Sequence, residues 1–311
     1  MMGYISEPGS FRDRTSRVFY SDGAVFRGLS QQALKEWETL SSTAFFRGLM
    51  AEGKLVHTER VGSLSTPNAA QIGEWAAVLK HQPIPFISYP YEWSFGMLKD
   101  AALLQLDLLL AALRENMILK DASPFNIQWL GTNPVFIDIP SFEKLLPGEP
   151  WVGYRQFCQM FLYPLFLQAY KDVPFHPWLR GSIDGIEPER CNKLMTVRDL
   201  LRPGVFTHVY LQTKAQSLHA QTEKDVKKEL RVAGFHQALI KANVSRLRKI
   251  VQRLIWQRTA SEWSDYASKN TYTDTDREKK EVFVRQVVQA RSWRLVWDLG
   301  CNTGAFSRIA A

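Results

Sequence analysis

The 311-residue sequence predicts an α+β fold. Three observations lead there. Short alternating apolar and polar runs gather between Phe11 and Tyr91, as strands require. Long stretches with apolar residues at helical spacing fill the middle of the chain. Near the end, an apolar run meets a glycine-bracketed turn and a helix start. The expected architecture is a small sheet lobe with a helix, a helical second lobe, a helical connector, and the first strand and helix of an open α/β sheet.

Arg17-Val-Phe-Tyr20 and Ala24-Val-Phe-Arg27 flank Ser21-Asp22-Gly23, a hairpin signal because Asp-Gly tolerates the positive φ of a tight turn. Ser30 should cap a helix through Leu40, with Leu34, Trp37 and Leu40 on one face. A second helical stretch ends near Gly53. Lys54 to Val61 alternates and is expected to be a strand, as is Ile84 to Tyr91 despite Pro85 and Pro90. Ser94 to Asn116 is the clearest helix, with Met97, Ala101, Leu104, Leu108 and Ala111 flanked by further leucines. So wide a stripe indicates burial on most sides. Next come Met117-Ile-Leu-Lys-Asp121-Ala-Ser-Pro-Phe-Asn126 and a hairpin, Ile127 to Leu130 and Val135 to Ile139. Trp151 to Tyr170 is an aromatic helix read as core, and His176, between prolines, is read as structural. Helical stretches at Pro188–Leu201 and Phe206–His219 finish the second lobe.

After Gln221 the composition shifts. Glu223 to Arg231 is charged, and Phe235 to Trp256 is amphipathic with a seam of Ile240, Val244, Leu247, Val251 and Leu254. From Lys241 to Arg258 every charged residue is basic. That face is either a patch for an anionic partner or simply solvated, and the second reading is preferred. The net charge of +8 is clustered, so nucleic acid is not an expected partner. Cys158, Cys191 and Cys301 lack metal-ligand spacing and suit a reducing cytoplasm. No apolar run approaches the roughly 18 residues of a membrane span, and Glu7, Arg12, Asp13 and Arg14 stand where a signal peptide would be apolar.

Asp121-x-x-x-x-Asn126, a hairpin, and Asp138 at a strand end resemble the catalytic loop of protein-kinase-like folds. The resemblance implies Asp121 as acceptor of a substrate hydroxyl proton, with Asn126 and Asp138 holding Mg²⁺ on ATP. There are departures. Leu119 stands where His is usual and Lys120 where Arg is common, and no G-x-G-x-x-G or Val-Ala-x-Lys strand occurs. Arg27 is the nearest basic candidate, with Glu36 or Glu38 as helix partner. A degenerate kinase-like scaffold is expected. Phosphotransfer, a non-catalytic interaction module, and a turn that Asp121 merely caps all stay open.

Asp298-Leu-Gly300-Cys-Asn302-Thr-Gly304 resembles motif I of class I S-adenosylmethionine (SAM)-dependent methyltransferases. The resemblance makes Asp298, Gly300, Asn302 and Gly304 cofactor-site candidates and implies a Rossmann-like domain. Gly300 permits a positive φ, and Asn302 is the next most tolerant residue type. Trp263, Tyr266, Tyr272 and Lys279 before the motif, with Asp22-Gly-x-Val-x-Arg-Gly-Leu29 near the start, are similar to nodulation-type (NoeA-like) methyltransferases. That likeness implies a small-molecule or saccharide acceptor, with Tyr266, Tyr272 and Lys279 closing over SAM. The acidic residue expected about 20 residues beyond the motif has no sequence to occupy. The chain is therefore expected to be the front of a longer methyltransferase, cut within its cofactor domain, and no residue is named for the transfer step. The expected divisions are 1–220, a kinase-like domain; 221–292, a connector; and 293–311, the start of the SAM domain.

Overall fold

The computed structural model describes residues 5–61, 75–219, 237–257 and 273–311. They form two compact units, Met1–Trp256 and Gln257–Ala311.

In the first unit, β1 (Ile5–Ser6), β2 (Ser16–Ser21), β3 (Ala24–Leu29), β4 (Thr58–Val61) and β5 (Ala77–His81) make an antiparallel sheet in the order β1-β2-β3-β5-β4. The β2–β3 turn forms as expected. Asp22 and Gly23 have φ of 51° and 74°, the two positive values that match the twist of a hairpin. Ser30 Oγ accepts from Ala33 N and starts α1 (Gln31–Ser42), which buries Ala33, Leu34, Trp37 and Leu40. In α2 (Ala44–Ala51), the backbone N–H groups of Ala44 and Phe45 donate to the Glu115 carboxylate at 3.0 and 2.7 Å. The helix N-terminus and this carboxylate thus satisfy each other.

Ile84 to Tyr91 is not a strand. Pro83, Pro85 and Pro90 lack the N–H that a ladder needs. The sheet instead takes Ala77–His81. Of Lys54 to Val61, only Thr58–Val61 pairs in the sheet, while Leu55 bridges to Phe136 in the second lobe.

The second lobe is built on α3 (Phe95–Ala112), capped by Ser94 and burying ten of its residues. Asn116, in the left-handed conformation, ends the turn that follows. β6 (Met117–Leu119) pairs with β9 (Phe142–Lys144), and β7 (Ile127–Leu130) with β8 (Asn133–Phe136). The aromatic helix runs from α4 (Tyr154–Phe157) through a π-helical turn, Cys158–Leu162, into α5 (Tyr163–Lys171), and its side chains are core. α6 (His176–Gly181) and α7 (Pro188–Leu194) follow, and a second π-turn, Phe206–Tyr210, leads into α8 (Leu211–His219). His176 Nε2 is 2.9 Å from Trp93 O, a structural role.

The basic amphipathic helix is not part of a separate connector. As α9 (Gln237–Arg253) it packs on α3 and buries Ile240, Val244, Leu247 and Val251, so the compact unit reaches Trp256. Arg248 pairs with Asp107, and Lys99 donates to Leu254 O. The charged stretch 223–231 lies outside the described residues, as does Arg258.

The second unit holds α10 (Asp274–Gln289), capped by Thr273 and Asp276, and the short α11 (Ser307–Ala310). The run Leu295–Trp297, expected to be a strand, is not one, and its three side chains are 48–58% exposed. A strand satisfies its backbone through a neighbour. Among the described residues, this run belongs to none of the sheets.

Candidate functional site

The sheet lobe and the helical lobe enclose a cleft of about 750 Å³, and Asp121, Asn126, Asp138, Arg27 and Glu36 all line it. The loop between β1 and β2 closes one side with Glu7, Ser10 and Asp13.

Asp121 follows β6, and the backbone from Leu119 to Ala122 is held from three directions. Gln105, fully buried on α3, donates Nε2 to Asp121 O at 2.9 Å. Ala122 N donates to Gln156 Oε1 at 2.7 Å, and Trp151 Nε1 donates to Leu119 O at 2.9 Å. Asn126 ends the turn Pro124–Asn126, where its carbonyl accepts from Ile137 N and ties the loop to the hairpin's far end. Asp138 lies just past β8, heading the turn Ile139–Ser141. The spacing read in the sequence does bring Asp121, Asn126 and Asp138 to one cavity.

Ser141 joins the two acids. Its hydroxyl is 2.5 Å from Asp138 Oδ2 and 3.5 Å from Asp121 Oδ2. With a single proton, it donates to the nearer oxygen. Burial raises the Asp121 carboxyl above the ordinary carboxylate range, and the neighbouring Asp138 charge adds to this. Lys120 and Ser141 offset part of the effect. A carboxyl so placed is suited to accepting a proton from a hydroxyl.

Arg27 behaves differently from expectation. Its Nη2 lies 3.5 Å from Asp138 Oδ1, and its Nη1 donates to Ser16 Oγ at 3.0 Å. Glu38 instead pairs with Arg60 at 3.2 Å, and Glu36 accepts from Gln32. Nothing at residue 27 or 138 announces this pairing, because 111 positions separate them.

The β1–β2 loop stands where a glycine-rich, phosphate-holding loop would carry donors. Here Asp13 accepts from Thr15 and Ser16 through both backbone and hydroxyl groups. Burial pushes the Asp13 carboxyl up, but those hydrogen bonds outweigh it and hold the group below its ordinary value. Ser141, Gln105, Gln156 and Asp13 were all missed from sequence. Only the last has a local signal, an Asp two residues before a Thr-Ser pair.

The Mg²⁺ that the kinase resemblance implies does not fit the side chains as arranged. Arg27 sits on one oxygen of Asp138 and Ser141 on the other. A divalent cation there would also face the guanidinium charge.

In the second unit, Gly300, Asn302 and Gly304 have φ of 75°, 48° and 72°, the left-handed values anticipated for the first two. Gly304 N donates to Cys301 O at 2.8 Å, and Ser307 Oγ donates to Asp298 Oδ2 at 2.6 Å. A Cβ at Gly300 would meet nothing within 4 Å, so the backbone there is open to a ligand. Lys279 is exposed on α10, and Tyr266 and Tyr272 lie outside the described residues.

The chain is similar to the nodulation protein NoeA of Rhizobium meliloti (strain 1021). The two are 35% identical over 305 residues, which is 97% of this chain and 63% of that protein. The chain thus spans less than two thirds of this relative's length. No protein-family profile matches the chain. Among the described residues, no helix is long and apolar enough to cross a membrane.

Proposed function

We propose that this chain belongs to a protein that transfers a methyl group from SAM, with a saccharide or other small molecule as acceptor. The observation carrying this is the turn from Asp298 to Ser307, with positive φ at Gly300, Asn302 and Gly304 running into a helix start. Such a turn brings backbone N–H groups close to a bound ligand. Asp298, Gly300, Asn302 and Gly304 are the proposed contacts to the methionine end of SAM. Similarity to a nodulation protein supports a role of that broad kind, and the saccharide acceptor is an analogy from the family resemblance. Methyl transfer asks mainly for alignment of nucleophile, methyl and sulfur.

The test is SAM binding by the intact protein, measured by calorimetry. Gly300→Val should abolish it, because a β-branched side chain is strained at φ 75°. Unchanged affinity in that variant would remove the reading. The described segment offers part of a site, without a paired strand. Residues 1–311 alone are therefore expected to show no SAM binding at millimolar ligand.

A second reading, phosphotransfer by the 5–256 unit, is favoured by the convergence of Asp121, Asn126 and Asp138. The sheet order, with α1 placed between β3 and β4, also supports a kinase-like scaffold. Five carboxylates against two cations line the cleft, which opposes binding of a bare triphosphate. We therefore favour a non-catalytic kinase-like unit. If nucleotide binds, Mg-ATP should raise the melting temperature, and Asp138→Asn should remove the rise.

A further inference from the structure

We propose that Arg27 is a tethered cation that holds the place of a divalent metal on Asp138 and keeps the cleft from binding one. The inference deepens the kinase-like reading of the cleft and is independent of methyl transfer.

Arg27 lies on β3, which is hydrogen-bonded to β2 and β5, opposite Val18 on one side and Leu79 on the other. Its side chain is only 13% exposed, against 28% for Asp138. A chain of contacts fixes it. Ser16 Oγ donates to Asp13 Oδ2, Arg27 Nη1 donates to Ser16 Oγ, Arg27 Nη2 reaches Asp138 Oδ1, and Ser141 Oγ donates to Asp138 Oδ2. The guanidinium therefore spans the cleft from the sheet to the Asp138 turn, with its planar fork already oriented. Both carboxylate oxygens of Asp138 are engaged.

A covalently attached cation gives up little freedom when it pairs, whereas a free metal ion must be bound from solution and dehydrated. The metal would also meet an adjacent positive charge that cannot deprotonate. Without Arg27, Asp138 and Asp121 would face each other across Ser141, with Asn126 lining the same cavity. Oxygen donors of this kind suit Mg²⁺ or Mn²⁺.

The experiment measures Mn²⁺ binding to the full chain without nucleotide, by electron paramagnetic resonance of the free ion. Arg27→Gln keeps a donor for Ser16 and removes the charge, Arg27→Met removes both, and Arg27→Lys keeps the charge. Circular dichroism melts check that each variant is folded. Arg27→Gln and Arg27→Met should bind Mn²⁺ at least tenfold more tightly than wild type. Arg27→Lys should not, and adding Asp138→Asn to Arg27→Gln should erase the gain. Equal affinity in wild type, Arg27→Gln and Arg27→Met overturns the proposal, as does tight wild-type binding that Asp138→Asn abolishes. Failure of Mg-ATP to shift the melting point would remove only the nucleotide reading. A Mn²⁺ gain in Arg27→Gln would still establish the tethered cation.

Discussion

Two buried histidines set how this chain meets acid. His81, on β5, has Nδ1 2.8 Å from Thr58 Oγ1, and burial lowers its pKa to about 3, with the Arg27 charge adding to the effect. His208, in the second π-turn, has Nδ1 2.7 Å from Tyr154 Oη, and burial, with Arg246 nearby, lowers its pKa to about 4. Both are neutral in the fold at pH 7 but would protonate near 6.5 in the unfolded chain. Their contribution to stability is complete above about pH 6.5 and is lost as pH falls through that value toward the folded pKa. Each costs up to about 1.4 kcal/mol per pH unit in that window. The melting temperature should therefore fall between pH 6.5 and 4, and His208→Gln should flatten the slope. A melting point constant across this range would contradict the assignment. Asp199 acts in a lower window. Burial raises its pKa, but Lys171 and Thr196 outweigh this and bring it to about 2, so its contribution fades only below the ordinary 3.8.

At the scale of elements, the π-turn Cys158–Leu162 depends on a glycine far along the chain. Ile186 N donates to Gln159 O at 2.9 Å, which brings Gly185 against the helix backbone. Gly185 has φ of 75°, and a Cβ there would sit 2.4 Å from Gln159 O and 2.8 Å from its carbonyl carbon. Neither backbone atom can move aside without opening the helix. Gly131, in the β7–β8 turn, has φ of 60° and nothing within 4 Å of its Cβ position. Gly131→Ala should thus cost only the left-handed backbone term, about 1 kcal/mol. Gly185→Ala should add overpacking of roughly 1–3 kcal/mol to a similar strain. Denaturant melts of the two variants separate the contributions, and equal losses would show that the close approach is not felt.

Over the whole first unit, α9 decides where the compact unit ends. Its pair Arg248–Asp107 is about one third exposed on both sides, so it contributes no more than about 1 kcal/mol. The buried seam contributes far more. Leu247→Ala should cost roughly 2–5 kcal/mol, because Leu247 is fully buried between helices. Burial, not the basic charge, holds this helix in place. A chain ending at residue 256 should therefore melt as a cooperative unit, whereas one ending at 236 should not, since α3 would lose its cover. Cooperative melting of the shorter chain would show that α9 is an accessory.

What the sequence determined by itself is local. The Asp22-Gly23 turn, the Ser30 and Ser94 caps, the buried α3 and the left-handed turn at Gly300 and Asn302 each follow from residues within a few positions of one another. So does the spacing that carries Asp121 and Asn126 into one loop. The tertiary structure decided every choice of partner. Arg27 had two glutamates within reach on the next helix, yet it meets Asp138 because the sheet lobe folds down over the β8 end. Ser141 and Gln105 became site residues only once α3, β6 and β9 were packed together. Ala77–His81 became a strand because β3 and β4 offered open edges on both sides of it. Leu295–Trp297 is as apolar as a strand, but pairing needs a neighbour as well as a pattern. The seam of α9 announced a helix with something to bury against, without saying that α3 was waiting for it. Propensity and capping act over one or two turns of chain. Ladders, ion pairs and core contacts join residues a hundred positions apart, and only the folded chain brings these together.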